Sequence, residues 1–290
     1  MAITFNVGES PRTYVERIDV NGNTLTHDKV VRREFRLNEG DAFNSFGIKR
    51  TENRLNSLGY FQENLTIDRK EGSAPDRIIL ETNVQEKPTG ELSLSAGFSS
   101  IENFLVQGSI RQRNFRGMGQ QLSASVNYSS YSKSVELGFT EPYLFDRNIS
   151  IGGSVYRRDL NSFQFGINNE RRTTFEQVTT GFQVNVGVPL TEFMQFFGRY
   201  SLSFDEVSLD RDLYYFGDQC DPLVAGRYLC DAIGNRTTSL VGYTLAYDNR
   251  DNRMRPTRRQ SLSISQDFAG LGGNVKYVRT RLNGSKHIRL

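Results

Sequence analysis

Between Glu91 and Leu290 the chain alternates apolar with polar residues in one short segment after another, and this period of two restricts its fold more than any other feature. Successive side chains of a strand point to opposite faces, whereas a helix repeats about every 3.6 residues. In Gln121 to Tyr128, Leu122, Ala124, Val126 and Tyr128 fall on one face and Gln121, Ser123, Ser125 and Asn127 on the other. Val135, Leu137 and Phe139 repeat the pattern, as do Met194 to Phe204 and Val241 to Tyr247. The residues divide into strands over Glu91–Ser99, Phe104–Gln112, Gln121–Tyr128, Ser134–Glu141, Ile149–Arg158, Thr173–Val188, Phe193–Val207, Thr238–Tyr247, Gln260–Phe268 and Val275–Leu282.

A soluble sandwich alternates too, so the connections have to separate it from a membrane barrel. Strands that cross an outer membrane need roughly 9 to 11 residues, with short turns on the periplasmic side and longer loops outside. With the first strand running outward, the inner connections fall near Arg116–Gln120, Pro142–Asn148, Pro189–Glu192 and Asn249–Arg259. The outer ones fall near Ser100–Asn103, Ser129–Lys133, Leu160–Arg171, Leu209–Arg236 and Gly270–Asn274, so the longest loops share one side. That asymmetry points to an antiparallel transmembrane β-barrel, in which Glu136 and Arg111 read as lumen-facing polar groups.

Composition agrees by exclusion. A mean hydropathy of −0.52 does not suit a bundle of membrane helices, but a barrel needs an apolar residue only at every second position. A net charge of +3, with Arg and Lys scattered among acids, makes no electrostatic case for nucleic acid. Twenty Phe and thirteen Tyr suit interfacial girdles, although a soluble core would use them equally well. Cys220 and Cys230 lie close together in the longest outer loop, where a disulfide is the economical reading for an oxidising compartment and unpaired thiols the alternative. Neither His27 nor His287 completes a metal ligand set, and no Ser, Cys or carboxylate constellation supplies a catalytic site, so the expectation is a non-enzyme without metal or cofactor.

The first ninety residues read differently. Ile3–Val7 is a lone strand, and Met1 to Val7 has no signal-peptide pattern. A strand at Tyr14–Val20, a turn at Asn21 and Gly22, a helix over His27–Phe35 capped by Thr26, a helix over Ser45–Leu58 stopped by Gly59, and strands at Leu65–Arg69 and Arg77–Val84 make a small α+β domain. The expected divisions are 1–11, 12–87 and 88–290, with Lys87 to Gly90 as a short joint.

Tyr14-Val15-Glu16-Arg17-Ile18 with Gly22-Asn23-Thr24, Glu39-Gly40-Asp41 and Leu58-Gly59-Tyr60-Phe61 resemble the last POTRA domain of the assembly-factor branch of the Omp85 family. Gly97-Phe98-Ser99, Asn114-Phe115-Arg116-Gly117 with Gly119-Gln120, Thr140-Glu141-Pro142-Tyr143, and Asp248 to Asp251 followed by Pro256-Thr257 are similar to successive landmarks of that family's barrel. The resemblance implies that 1–11 is the tail of a preceding POTRA domain and that the chain is an interior piece of a longer protein, holding about ten of some sixteen strands. It also implies a place in the bacterial outer membrane, with the POTRA domain in the periplasm.

The activity implied is folding and insertion of outer-membrane proteins by strand pairing at the barrel seam, over Glu91, Leu92, Ser93, Leu94, Ser95, Ala96, Gly97 and Phe98. The implied partners are unfolded outer-membrane proteins, membrane lipid and accessory lipoproteins, one of which would touch Glu39. As a solvated loop acid, Glu39 needs no such role. A polypeptide translocase or other transport pore of the same family is the alternative function.

Overall fold

The computed structural model describes residues 12–99, 103–165, 171–250 and 258–288. The Ile3–Val7 strand and the division at residue 11 lie outside them, as do the tip of the Ser100–Asn103 turn and most of the Asn249–Arg259 turn. The chain forms two compact units. One runs through Gly90 and also takes in Gln112–Gln120; the other comprises Glu91–Arg111 and Gln121–Leu290.

In the first unit, β1 (Tyr14–Asn21) is followed by α1 (Asp28–Arg32), α2 (Ser45–Leu58), β2 (Thr66–Glu71) and β3 (Arg77–Asn83). The sheet order is β1-β3-β2, with β1 parallel to β3 and β2 antiparallel to it. α2 starts where the Asn44 side chain accepts from the Phe46 amide at 2.9 Å, and stops at Gly59, whose φ of 69° few other residues adopt cheaply. Its inner stripe delivers Thr51 and Leu55 to the core. Val30, Val31, Leu55, Tyr60, Phe61, Leu65 and Val84 form one buried group, and Val15, Ile18, Leu37 and Leu80 a second. Each large side chain so enclosed contributes about 1.5–3 kcal/mol.

α1 departs from the sequence expectation. It spans only Asp28–Arg32, its N-cap is His27 with no side-chain bond, and Thr26 does not cap it. The Thr26 hydroxyl is committed elsewhere, as described below.

A ten-stranded antiparallel sheet makes up the second unit, apart from Gly90, residues 112–115 and Gln120, which fall in the first: its strands begin with β4 (Gly90–Ser99), β5 (Asn103–Phe115), β6 (Gln120–Tyr128), β7 (Ser132–Glu141), β8 (Ser150–Phe165), β9 (Arg171–Pro189) and β10 (Met194–Leu209). After β10 the chain forms α3 (Arg211–Tyr214), β11 (Tyr215–Phe216), β12 (Gln219–Cys220), α4 (Pro222–Ala225) and α5 (Arg227–Cys230). It then rejoins the sheet as β13 (Gly234–Asp248), β14 (Arg259–Ala269) and β15 (Tyr277–His287). Neighbours in the sheet are neighbours in sequence, ending on β4 at one side and β15 at the other. Each expected strand is present. Of the outer loop expected at Leu160–Arg171, the described residues, 160–165 and Arg171, are strand, because β8 and β9 go on pairing as far as Phe165 and Arg171.

Register sorts the two faces. Leu122, Phe139, Gly153, Val184, Tyr200, Val241, Phe268 and Val278 lie in one cross-strand row. Next to it runs Gln121, Thr140, Gly152, Asn185, Arg199, Gly242, Asp267 and Arg279. The apolar face is uncovered: Leu122, Val126, Val135, Leu137, Phe139, Val155 and Phe204 are all exposed. A water-soluble sheet would bury such a face under a second layer. Lipid is the solvent that leaves it satisfied, which is the membrane-barrel pattern.

The polar face carries its own order. Asp267, its side chain only 6% exposed, receives Arg279 at 2.6 Å and also pairs with Arg199. Gly242 lies between Arg199 and Asp267 in the row, and a Cβ there would stand 2.3 Å from the carboxylate. Glycine at 242 is thus the condition for this ion triad. Glu136 pairs with Arg158 at 3.1 Å, and Arg111 and Glu136 line one cavity of about 380 Å³ with Gln121, Ser123 and Asn185.

Candidate functional site

β4 carries residues 91–98, the stretch expected from the sequence to form the seam. It occupies one end of the sheet order, so one line of its backbone donors and acceptors has no strand beside it among the described residues. Leu92, Leu94 and Phe98 are 76–78% exposed on its apolar side. Glu91, Ser93, Ser95 and Gly97 alternate with Leu92, Leu94, Ala96 and Phe98, and all but Gly97 are exposed. Small residues give this edge little side chain to pack and a smooth path for a further strand. At Gly97 sterics do not demand glycine: an added Cβ would meet Leu105 at 3.5 Å, an ordinary contact.

The base of β4 is built quite differently, and all of it belongs to the first unit. The Lys87 amide donates to the Tyr60 carbonyl at 2.9 Å, and the Arg113 amide to the Thr89 carbonyl at 3.1 Å. The Gln112 amide group donates to the Thr89 hydroxyl at 3.1 Å. Tyr60 also sends its own hydroxyl to the Arg113 carbonyl at 3.0 Å. One residue just beyond the end of α2 therefore holds both the joint that leads into β4 and the end of β5.

Asn114 completes the arrangement. Its side chain is buried, donates to the Thr26 hydroxyl at 2.8 Å and accepts from the Gly119 amide at 2.7 Å. The Gly117 carbonyl accepts from the His27 amide at 2.9 Å. Gly117 and Gly119 both have positive φ, 70° and 74°. A Cβ on Gly117 would stand 1.9 Å from the Leu25 carbonyl oxygen, and one on Gly119 2.3 Å from the Arg33 guanidinium. The facing segment, residues 24–26, is held by Glu86, which accepts from the Thr24 hydroxyl at 2.7 Å and from the amides of Leu25 and Thr26 at 2.9 and 2.6 Å. Burial alone would raise the Glu86 carboxyl; the bonds from Thr26, Thr24 and Leu25 outweigh it and hold it below its ordinary range.

In the sequence Asn114, Arg116, Gly117 and Gly119 stand out only as a family landmark, with the last three in an expected barrel turn. The legible signal was the two glycines one residue apart behind an asparagine, a spacing that anticipates close backbone approach. The partner of Asn114 was not legible, because Thr26 lies 88 residues away.

The other expected site residues fall apart from this cluster. Glu39 accepts from the Ile18 amide at 3.1 Å and from Arg32 at 3.3 Å, with its side chain 49% exposed. Cys220 and Cys230 form a disulfide that closes the loop carrying α4 and α5.

Comparison with known proteins places these features. Residues 114–290 match the family model for the Omp85 superfamily domain, and residues 13–87 match that for POTRA, the surface antigen variable number repeat. The outer membrane protein assembly factor BamA of Neorickettsia risticii is 28% identical over 278 residues, covering 96% of this chain and 35% of that protein. BamA of Nitratidesulfovibrio vulgaris is likewise 28% identical, over 283 residues, covering 96% of this chain and 32% of its own length. The chain thus spans about a third of the length of these curated relatives. In fold it is similar to the crystal structure of BamA from Haemophilus ducreyi lacking POTRA domains 1–3, with a TM-score of 0.67, 22% identity and coverage of 96% of this chain and 52% of that one.

Proposed function

The chain belongs to the Omp85 superfamily, and from that premise we propose that it is part of an outer-membrane assembly factor that folds and inserts β-barrel proteins by offering β4 as a template strand. The observation that carries the reading is the edge itself. β4 ends the sheet, exposes Leu92, Leu94 and Phe98 on its apolar side, and beyond Glu91 is otherwise made of the small residues Ser93, Ser95, Ala96 and Gly97.

In hydrocarbon an unpaired backbone group costs several kcal/mol, so a client strand that lays itself on Glu91–Phe98 gains its hydrogen bonds where it needs them most. The addition is β-augmentation. Free energy comes from the client, as its apolar face enters lipid and its ladder closes, and no nucleotide is consumed. The first unit would lie in the periplasm and hold unfolded clients on the way. Glu39, half exposed and already fixed by Ile18 and Arg32, would present its remaining acceptor capacity to an accessory lipoprotein.

Replacing Gly97 with Val tests the edge. Leu105 leaves room for the new Cβ, so the strand still forms, while a β-branched residue strengthens its pairing to whatever closes the seam. Client assembly should slow several-fold in cells, with the protein itself folded and at normal abundance. An unchanged assembly rate would remove the support for a weakly held template.

A further inference from the structure

We propose that Tyr128, Lys133 and Arg157 form a binding site for the phosphate of an anionic lipid headgroup, on the lipid-facing side of β6, β7 and β8 at the outer end of the sheet. The inference uses only the second unit and its uncovered apolar face, and it does not depend on the template role of β4.

Register places the three residues where the apolar run stops. On the apolar face of β6, Leu122, Ala124 and Val126 are followed by Tyr128. On β7, Phe139, Leu137 and Val135 are followed by Lys133, and on β8, Gly153 and Val155 by Arg157. Three adjacent strands therefore end their apolar run on a tyrosine and two cations, all of them exposed. This is the outer end. The rows of Arg157 and Lys133 continue through β9 to Phe204 and Glu206 of β10, which runs on into the long connection at residues 210–233. Barrels carry their longer loops on the outer side.

The chain does not supply these cations with counter-charges. Arg157 has no carboxylate at ion-pair distance among the described residues, and its guanidinium donates to the Thr180 hydroxyl at 3.1 Å. Lys133 has no ion pair among the described residues either; its ammonium lies over the Tyr128 ring, 5.8 Å from the centroid. Asp159 stands opposite Lys133 in the register, and Glu206 lies two strands beyond it, yet neither pairs with either cation. The polar face is arranged otherwise. There Arg158 pairs with Glu136, and Arg199 and Arg279 share Asp267.

At the edge of hydrocarbon an unpaired cation extends toward the headgroup layer, where the available anion is phosphate. Lys133 and Arg157 are diagonal neighbours on adjacent strands, about 7–8 Å apart and within converging reach of long side chains. The guanidinium fork takes two oxygens of one phosphate, and the ammonium adds a point charge. Tyr128 holds Lys133 through its ring at the level where aromatic girdles meet headgroups. The acyl chains of the same lipid then lie along Val135 and Leu137, both exposed.

The experiment uses the complete protein, reconstituted in phosphatidylcholine vesicles with a minority of phosphatidylglycerol, and a bimane label on Val135→Cys. Bromine on the chains of one lipid or the other quenches the label according to which lipid lies against β7. At equal mole fraction phosphatidylglycerol should be favoured about tenfold, the order that two surface cations supply. Lys133→Gln combined with Arg157→Gln should bring the ratio to about one, and Arg157→Lys should keep part of the preference. Lys286→Gln, which removes a cation from the same face of β15, should leave it unchanged. Heat-modifiable migration reports folding in each variant, and Arg157→Gln alone supplies the readout should the double variant fail to fold. A folded double variant that keeps the preference, a native protein that shows none, or equal loss in Lys286→Gln would overturn the site. Loss of the preference on adding millimolar inorganic phosphate would overturn the lipid assignment in favour of a soluble anion.

Discussion

Replacing Gly117 with Ala should be far more disruptive than replacing Gly40 with Ala, although both glycines lie in the first unit with positive φ, 70° and 93°. Each substitution places a Cβ in the left-handed region, at a cost of about 1–2 kcal/mol. Around Gly40 nothing lies within 4 Å of the new atom, so conformational strain is the whole effect. At Gly117 the Cβ would stand 1.9 Å from the Leu25 carbonyl oxygen and 2.9 Å from its carbon, which are backbone atoms. They cannot easily retreat, because Glu86 holds the amides of Leu25 and Thr26. The turn must lift instead, surrendering the His27 to Gly117 bond and straining both bonds of Asn114. At about 1 kcal/mol for each of these three bonds the loss is about 3 kcal/mol beyond the strain that the two variants share. Amide hydrogen exchange in the complete protein reads this as local opening. The Gly119 amide, bound to Asn114, should exchange about 100-fold faster in Gly117→Ala and less than about threefold faster in Gly40→Ala. Equal acceleration in the two variants would show that the turn is not seated against Leu25 and would refute the argument for its anchoring.

The Glu86 carboxyl is held below its ordinary value of 4.5, so its stabilisation of the segment at 24–26 is complete above that value and is lost as pH falls through the depressed folded-state value. Glu86→Gln should therefore raise exchange of the Leu25 and Thr26 amides at neutral pH, with the gap from wild type closing on acidification; a pH-independent gap would contradict this. Gly242→Val should force Asp267 away from Arg199 and destabilise the folded barrel by about 3–5 kcal/mol, as removing a partner from an enclosed ion pair does, while Gly198→Val, whose added Cβ would find its nearest neighbour, a Phe196 ring carbon, at 3.7 Å, should cost much less. Heat-modifiable electrophoresis over a urea series compares the two. Reducing Cys220–Cys230, or replacing both with Ser, should loosen the loop by about 2–3 kcal/mol and admit protease between β10 and β13 while the strands stay protected; protection throughout would show that packing, not the disulfide, orders the loop.

Much of the architecture was legible because barrel strands announce themselves by period two and by polar or glycine-rich punctuation. The Leu122 and Phe139 rows could be read from sequence, and α2 from its cap and its terminal Gly59. Strand ends were less legible, since backbone pairing in β8 and β9 runs past the point where apolar alternation fades. Thr26 shows why a local reading can mislead. A threonine before a helix is a good cap in isolation, but here Asn114, far along the chain, takes its hydroxyl. The same long separation hid the membership of Gln112–Gln120 in the first unit and the role of Gly242 in admitting Arg199 to Asp267. Glycine spacing marked both places, but only cross-strand register and tertiary packing could say what the glycines make room for.

The central claim is that clients pair with β4 rather than pass along the polar face of the sheet. The most direct test places a single cysteine in the complete protein, either at Ser95 on β4 or at Ser123 on the polar face beside Arg111 and Glu136. Each is then challenged in cells with a newly made barrel protein bearing a cysteine in its pairing strand. The account predicts a specific adduct at Ser95 and none at Ser123. Adducts at Ser123 without any at Ser95, for a client that still depends on this protein, would contradict it and favour passage through the barrel interior.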